Sequence, residues 1–240
     1  MLNIQTENNG DKYGDNETFE AFFDTYFFIP IASKLVDPLY YANLTPNMVT
    51  IISTILTLST IYFLEIGNKY LAILVYMAGY LLDCVDGRMA RKYKMGSDLG
   101  MALDSSSDTV SNTILLTYII ISKKDDLGKY SGVVLGIALL SSFLLGISFG
   151  LNEAIASHEA TGSDNFYERR VKQLENKATT WYEEDLYNLF IYINDVSYKS
   201  YKSLISEYNR DNCYDYLKIL KHFGPGNYCI LISLLIFIIY

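Results

Sequence analysis

The stretch that decides how this chain folds and what chemistry it carries is Asp83-Cys84-Val85-Asp86-Gly87-Arg88-Met89-Ala90-Arg91, followed after eight residues by Gly100-Met101-Ala102-Leu103-Asp104-Ser105-Ser106-Ser107-Asp108. Four carboxylates stand there at fixed intervals, beside apolar stretches long enough to enter a membrane. Ionisable groups at the edge of a bilayer are costly to place. Their presence therefore indicates a functional site.

The spacing of these residues predicts two α-helices. Offsets of three, four, seven and eight residues lie on one face of a helix, and the first group holds this pattern at positions 83, 86, 87, 90 and 91. The second group holds it at positions 100, 104 and 108. Residues 92–99 are rich in glycine, serine and charge, which predicts the turn between the two helices.

Carboxylates on two facing stripes would meet in one volume, where they repel one another unless cations bind. Oxygen ligands suit hard divalent cations such as Mg²⁺, Mn²⁺ or Ca²⁺. Zn²⁺ fits poorly, because His158 and His222 are far along the chain and only Cys84 is close.

Small residues on the same faces leave space for a ligand. Gly87 and Ala90 share the face of Asp86, and Gly100 lies one turn before Asp104. Arg91 on that face is suited to a bidentate hold on a phosphate. Cations and an arginine around a phosphate-sized gap favour metal-assisted phosphoryl-type transfer.

Together these positions form the pattern Asp-x2-Asp-Gly-x2-Ala-Arg-x8-Gly-x3-Asp-x3-Asp, which resembles the signature of the CDP-alcohol phosphatidyltransferases. Every signature position is filled, by Asp83, Asp86, Gly87, Ala90, Arg91, Gly100, Asp104 and Asp108. Residues 44–50, Leu-Thr-Pro-Asn-Met-Val-Thr, are similar to the family's entry to its first membrane helix. The resemblance covers roughly residues 28–150.

The resemblance implies a mechanism. A hydroxyl acceptor would attack a CDP-linked donor, and CMP would leave. Two divalent ions, Mg²⁺ or Mn²⁺, would be held by the four aspartates of the signature, and Asp108 would also take the proton of the attacking hydroxyl. The pocket for the cytidine diphosphate would be shaped by Gly87, Ala90, Arg91 and Gly100. The family also implies a homodimer and membrane lipids as partners.

The acceptor alcohol is only weakly indicated. In the branches of the family that use inositol or glycerol phosphate, a basic residue commonly follows the fourth aspartate, whereas Thr109 follows it here. The runs around Asp104 and Asp108 are somewhat more similar to members that use serine or an amino alcohol. Whether the lipid is on the donor or on the acceptor stays open.

The remaining chain predicts an all-α, polytopic membrane bundle of five to six spans. Half of the residues are hydrophobic. Apolar segments cover 47–64, with Asn47 as a cap-like first residue, 70–85, 109–122, 131–151 and 228–240. A full span needs about 20 residues, so the last segment is short. The family pattern has six helices and five apolar segments are found here, so either the sixth helix is absent or a less apolar segment takes its place.

The domain organisation follows from composition. Residues 1–16 predict a flexible acidic tail, and residues 17–151 a catalytic membrane domain that begins with an interfacial amphipathic helix over 18–40. Residues 152–227 predict a polar helical insertion, either on the membrane surface and capping the bundle or solvated and merely linking. Residues 228–240 predict the last helix of the membrane domain.

Charge and cysteine content narrow the remaining possibilities. The net charge of −8 argues against a nucleic-acid partner. Basic residues in the motif turn place that end of the bundle on the cytoplasmic side. Cys84, Cys213 and Cys229 have no paired spacing, which predicts free thiols.

Three other functions are compatible with part of this sequence pattern. An intramembrane Mg²⁺-dependent prenyltransferase also uses aspartate-rich helices, but it has no need for Gly87, Ala90 and Arg91 at these offsets. A divalent-cation transporter would place its aspartates near mid-bilayer, whereas here they flank a polar turn. A degraded homologue kept as an interaction protein would not need an intact signature.

Overall fold

The structure, a computed structural model, describes residues 19–240. The predicted acidic tail, residues 1–16, lies outside the described residues. A π-helical turn, Asp24–Phe28, continues into α1, Ile29–Tyr41. Nine further helices follow in the described residues: α2 Pro46–Glu65, α3 Lys69–Lys92, α4 Asp98–Ser122, α5 Lys124–Leu127, α6 Ser131–Thr161, α7 Phe166–Leu174, α8 Trp181–Leu204, α9 Arg210–Leu220 and α10 Pro225–Ile239. The prediction of an all-α fold is confirmed.

Local sequence signals set the starts of the helices around the motif. Thr45 is the N-cap of α2: its hydroxyl accepts from the Met48 amide, and Pro46 occupies the first turn. The expectation that Asn47 would be the cap-like residue is therefore wrong by two positions. Ser97 caps α4 in the same way by accepting from the Gly100 amide at 3.0 Å. Gly100, the signature glycine on α4, thus also donates its amide to the helix cap.

Within residues 19–240, four helical runs are long and apolar enough to cross a membrane: Pro46–Glu65, Lys69–Lys92, Ser131–Thr161 and Arg210–Ile239. The last combines α9, a 3₁₀ turn and α10, and it contains the short predicted segment 228–240 except for its final residue. Helix α4, with 25 residues, is also long enough for a span, but it carries three aspartates and is not among these four runs. The prediction of a polytopic bundle is confirmed, with α4 as a fifth long helix beside these four runs.

Close packing of α2 positions the motif. A Cβ added to Gly79 of α3 would lie 2.8 Å from Thr57 Oγ1 and 3.1 Å from the Ser53 carbonyl oxygen. Only a glycine allows α2 and α3 to approach so closely. Helix α2 also packs along α4, so it lies against both helices that carry the aspartates.

The N-terminal helical segment is joined to the bundle by a buried acid. Asp24 accepts hydrogen bonds from the Tyr80 hydroxyl at 2.6 Å and from the Gly226 amide at 2.9 Å. Burial raises the pKa of Asp24, and these two hydrogen bonds oppose that rise. Farther along, Ala32 and Val36 of α1 belong to one apolar cluster with Val85 and Met89 of α3. The predicted amphipathic helix therefore packs against the motif helix.

The region predicted as a polar insertion has a core of its own. Helix α6 continues past residue 151 to Thr161, and its Leu151 and Ile155 join Tyr201 of α8 and Leu217 of α9 in one buried cluster. A Cβ on Gly150 would lie 2.4 Å from the Ser197 carbonyl oxygen, so α8 rests directly on α6.

A carboxylate in the loop between α6 and α7 ties this region together. Asp164 accepts hydrogen bonds from the Tyr201 hydroxyl at 2.7 Å and from Lys202 Nζ at 2.6 Å. Burial by itself would raise the pKa of Asp164, but the bonds from Lys202 and Tyr201 outweigh it and leave the pKa lowered.

The insertion also contacts the second motif helix. Tyr187 and Phe190 of α8 form a buried cluster with Ala102 of α4. At the first residue of α4, Asp98 pairs with Lys177 at 2.5 Å. The predicted insertion is therefore joined to α4 by packing and by charge as well as through the chain.

Candidate functional site

Helices α3 and α4 bring three of the four signature aspartates together. Oxygen atoms of Asp83, Asp104 and Asp108 all lie within 4.8 Å of one another. All three side chains are half-buried. The expected convergence of two helical stripes thus holds for Asp83 on α3 and for both aspartates on α4.

Asp86, the fourth signature aspartate, is not in that group among residues 19–240. It is 2% exposed, and its Oδ2 accepts a hydrogen bond of 2.5 Å from Thr50 Oγ1 of α2. Thr50 is itself 3% exposed. A third helix therefore holds one of the carboxylates, a role that the sequence pattern alone did not assign to Thr50.

The small signature residues leave room for particular neighbours. A Cβ on Gly87 would lie 3.2 Å from Nη1 of Arg91, so the guanidinium folds back over this glycine. A Cβ on Gly100 would lie 2.7 Å from Asn47 Oδ1. Gly100 was expected to leave space for a ligand, and its nearest neighbours include Asn47 in the first turn of α2. Ala90 is half-buried and Arg91 is exposed.

The donor set fits a hard divalent cation. Asp83 Oδ1 is a buried oxygen that has no hydrogen-bond donor among the described residues. This oxygen is buried, lacks a hydrogen bond and lies beside two further carboxylates. Such a site suits Mg²⁺ or Mn²⁺, because the positive charge of the ion offsets the negative charge of the carboxylates. The group of three is made of oxygen ligands only, and Cys84, Cys213 and Cys229 are free thiols, as predicted. This donor set does not suit Zn²⁺.

The basic turn after α3 is held by α1. Asp37 accepts hydrogen bonds from Lys92 Nζ at 2.6 Å and from the Tyr93 hydroxyl at 2.7 Å. These two bonds lower the pKa of Asp37, and the bond to Asp37 raises the pKa of Tyr93 to about 12. The rings of Tyr40 and Tyr93 stack with centroids 3.5 Å apart. Lys92, the last residue of α3, therefore contacts α1.

Comparison with known proteins gives the same assignment as the motif. A family model described as CDP-alcohol phosphatidyltransferase matches residues 43–174, more than half of the chain. The chain belongs to the CDP-alcohol phosphatidyltransferase family. The matched region runs from just before α2 to the end of α7, so it contains all eight signature positions.

Several relatives of this family member are known. It is 32% identical over 125 residues to an uncharacterized protein of Aquifex aeolicus (strain VF5), a match that covers 50% of this chain and 62% of that protein. It is 36% identical over 74 residues to an archaetidylinositol phosphate synthase of Pyrococcus horikoshii, covering 31% of this chain and 39% of the relative. It is 41% identical over 69 residues to a CDP-diacylglycerol–serine O-phosphatidyltransferase of Bacillus subtilis, covering 29% and 39%.

Each of these matches spans less than two thirds of the relative's own length. No solved structure matches the chain.

Proposed function

We propose that this protein is a CDP-alcohol phosphotransferase of phospholipid biosynthesis. The observation that carries the proposal is the convergence of Asp83, Asp104 and Asp108 from two helices, at the positions of the family signature. In the reaction, an acceptor hydroxyl attacks the phosphorus on the side away from cytidine. A new P–O bond forms, the P–O bond to CMP breaks, and CMP leaves with that electron pair.

In this proposal each residue of the site has a separate role. Asp108 accepts the proton of the attacking hydroxyl, as a general base. Arg91 neutralises charge on the diphosphate, and Gly87, Ala90 and Gly100 keep the space for the donor open. Asp83, Asp104 and Asp108, together with Asp86, would hold two ions of Mg²⁺ or Mn²⁺. When bound, such ions neutralise charge on the diphosphate and on the leaving group.

The acceptor belongs, in this proposal, to the serine or amino-alcohol class. Thr109, which follows the fourth aspartate, is exposed and uncharged, so it offers no positive charge to an acceptor phosphate. One relative is named for serine and another for archaetidylinositol phosphate, so inositol-type acceptors must be tested beside serine. We also propose a homodimer, as the family implies.

We place the motif turn at the cytoplasmic side of the membrane. The turn and the end of α3 carry Arg88, Arg91, Lys92 and Lys94, and basic residues favour the cytoplasmic side. A CDP-linked donor would reach the site from that side.

The decisive experiment measures CMP release from labelled CDP-diacylglycerol by the protein in detergent or vesicles, with serine, ethanolamine, inositol and glycerol phosphate tested in turn. We expect Mn²⁺- or Mg²⁺-dependent release with serine or ethanolamine. Release only with inositol or glycerol phosphate would overturn the acceptor class.

Asp104→Asn should abolish that release, because it removes a ligand charge at nearly constant volume. The matched control is Asp185→Asn, which removes an exposed carboxylate on α8 and should leave release intact. Full activity of Asp104→Asn, or no CMP release with any acceptor, would refute the proposed function.

A further inference from the structure

A second polar contact joins α3 to α4 beside the carboxylates, farther from the motif turn. Tyr76 lies two turns before Asp83 on one face of α3, and Asn112 lies one turn after Asp108 on one face of α4. The Tyr76 hydroxyl donates to Asn112 Oδ1 at 2.9 Å. This bond therefore crosses the same gap between helices as the aspartates.

The contact continues to the backbone of an aspartate. Asn112 Nδ2 donates to the carbonyl oxygen of Asp108 at 2.9 Å. Carboxylate oxygens of Asp108 and Asp83 in turn lie within 4.8 Å of each other. The chain of contacts from Tyr76 through Asn112 thus ends at the backbone of Asp108, whose carboxylate approaches that of Asp83 from the opposite helix.

The Tyr76 ring is locked in place by apolar packing. Tyr76 is 3% exposed and belongs to one buried cluster with Leu115 of α4 and with Cys229 and Ile232 of α10. A buried hydroxyl in such surroundings has little access to water, so its bond to Asn112 is costly to break. The ring and its hydrogen bond together act as a spacer between α3 and α4.

We infer that the Tyr76–Asn112 pair is a positioning device that sets the separation of Asp83 and Asp108, and thereby the affinity of the site for divalent cations. The inference rests on the proposed function, in which these aspartates are metal ligands. Like charges on the two helices drive them apart when no cation is bound. A hydrogen bond that crosses the gap opposes this separation and keeps the ligands at binding distance.

The test compares Mn²⁺ binding by the purified protein in detergent, followed through the electron paramagnetic resonance signal of free Mn²⁺. Tyr76→Phe removes one oxygen and keeps the packing. We expect Mn²⁺ affinity to fall roughly 10-fold or more, in the range that supporting residues of metal sites show. In the CMP assay, the Mn²⁺ concentration for half-maximal rate should rise equally, while the rate at saturating Mn²⁺ stays near wild type.

Tyr118→Phe is the matched control. Its hydroxyl also joins α4 to another helix, by donating to Glu65 Oε1 at 2.6 Å, but it lies far from the carboxylates. This variant should bind Mn²⁺ as the wild type does. If the two tyrosine hydroxyls only stabilised the fold, both variants would unfold at a lower temperature than the wild type and both would keep the wild-type Mn²⁺ affinity.

A double-mutant cycle isolates the bond. If Tyr76 and Asn112 act through one contact, Tyr76→Phe combined with Asn112→Leu should weaken Mn²⁺ binding no more than the worse single variant. Wild-type Mn²⁺ affinity in Tyr76→Phe, or an equal loss in Tyr118→Phe, would overturn the inference and leave the proposed function untouched. Absence of Mn²⁺ binding by the wild type would instead remove the metal site itself, and the inference with it.

Discussion

The hydrogen bond from Thr50 to Asp86 offers a sharp test of how α2 supports the site. Thr50→Val exchanges the hydroxyl for a methyl group and keeps the branched shape of the side chain. The bond that it removes is 2.5 Å long, and both partners are buried. The carboxylate of Asp86 would then lose the Thr50 donor in a place with little water.

The size of the effect follows from the charge of the acceptor. A hydrogen bond to a charged group contributes about 1.5–3 kcal/mol. Since each 1.4 kcal/mol is about a tenfold change in an equilibrium constant, the loss is roughly 10- to 100-fold. We expect this loss to appear as a higher Mn²⁺ concentration for half-maximal CMP release, because Asp86 would be less well held as a ligand.

Two further variants on α2 make the result interpretable. Thr50→Ser keeps the hydroxyl and should stay close to wild type. Thr60→Val removes another buried hydroxyl, one that bonds to the Leu56 carbonyl oxygen of its own helix, and should not change the Mn²⁺ dependence. The reasoning fails if Thr50→Val keeps the wild-type Mn²⁺ dependence, or if Thr60→Val shows the same loss.

Three further predictions concern the base, the glycine and a loop acid. Asp108→Asn keeps an oxygen ligand but cannot accept a proton, so CDP-donor binding in Mn²⁺ should persist while CMP release falls about 10²–10⁴-fold; loss of donor binding as well would make Asp108 chiefly a ligand. Gly100→Leu should lower CMP release and thermal stability, because its Cβ would lie 2.7 Å from Asn47 Oδ1, whereas Gly136→Leu, which meets no atom within 4 Å, should not. The lowered pKa of Asp164 means that its carboxylate stabilises the fold at neutral pH and that this contribution is lost as the pH falls through the lowered value. The unfolding temperatures of wild type and Asp164→Asn should therefore differ at pH 7 and converge below about pH 4, and a constant difference would contradict this.

Local regularities made much of the architecture predictable. The spacing of Asp83, Asp104 and Asp108 puts each on a defined helical face, because helix geometry depends only on near neighbours in the chain. The turn between α3 and α4, predicted over 92–99 and observed over 93–97, and the cap at Ser97 come from the same short-range chemistry. Long apolar runs likewise predicted the membrane helices, since a span requires little more than length and hydropathy.

Other features depend on how distant segments pack. Helix α6 runs to Thr161, beyond its predicted apolar end, because Leu151 and Ile155 are covered by the insertion rather than by lipid. The contact of Phe190 with Ala102 could not be predicted either, since nothing in either helix specifies the other. Composition indicated a polar insertion, and only packing shows that it rests on the second motif helix.

The sequence by itself determined that two helices each present aspartates on one stripe, because a rise and a rotation per residue are properties of the backbone. It also determined the family, because the signature is a pattern of residue types. Only the tertiary structure decided which helices complete the site: Thr50 reaches Asp86 from α2, and Tyr76 reaches Asn112 across the gap. The physical reason is that such bonds depend on the distance and rotation between helices. Those quantities result from the packing of every contact surface at once, and no single stretch of sequence contains them.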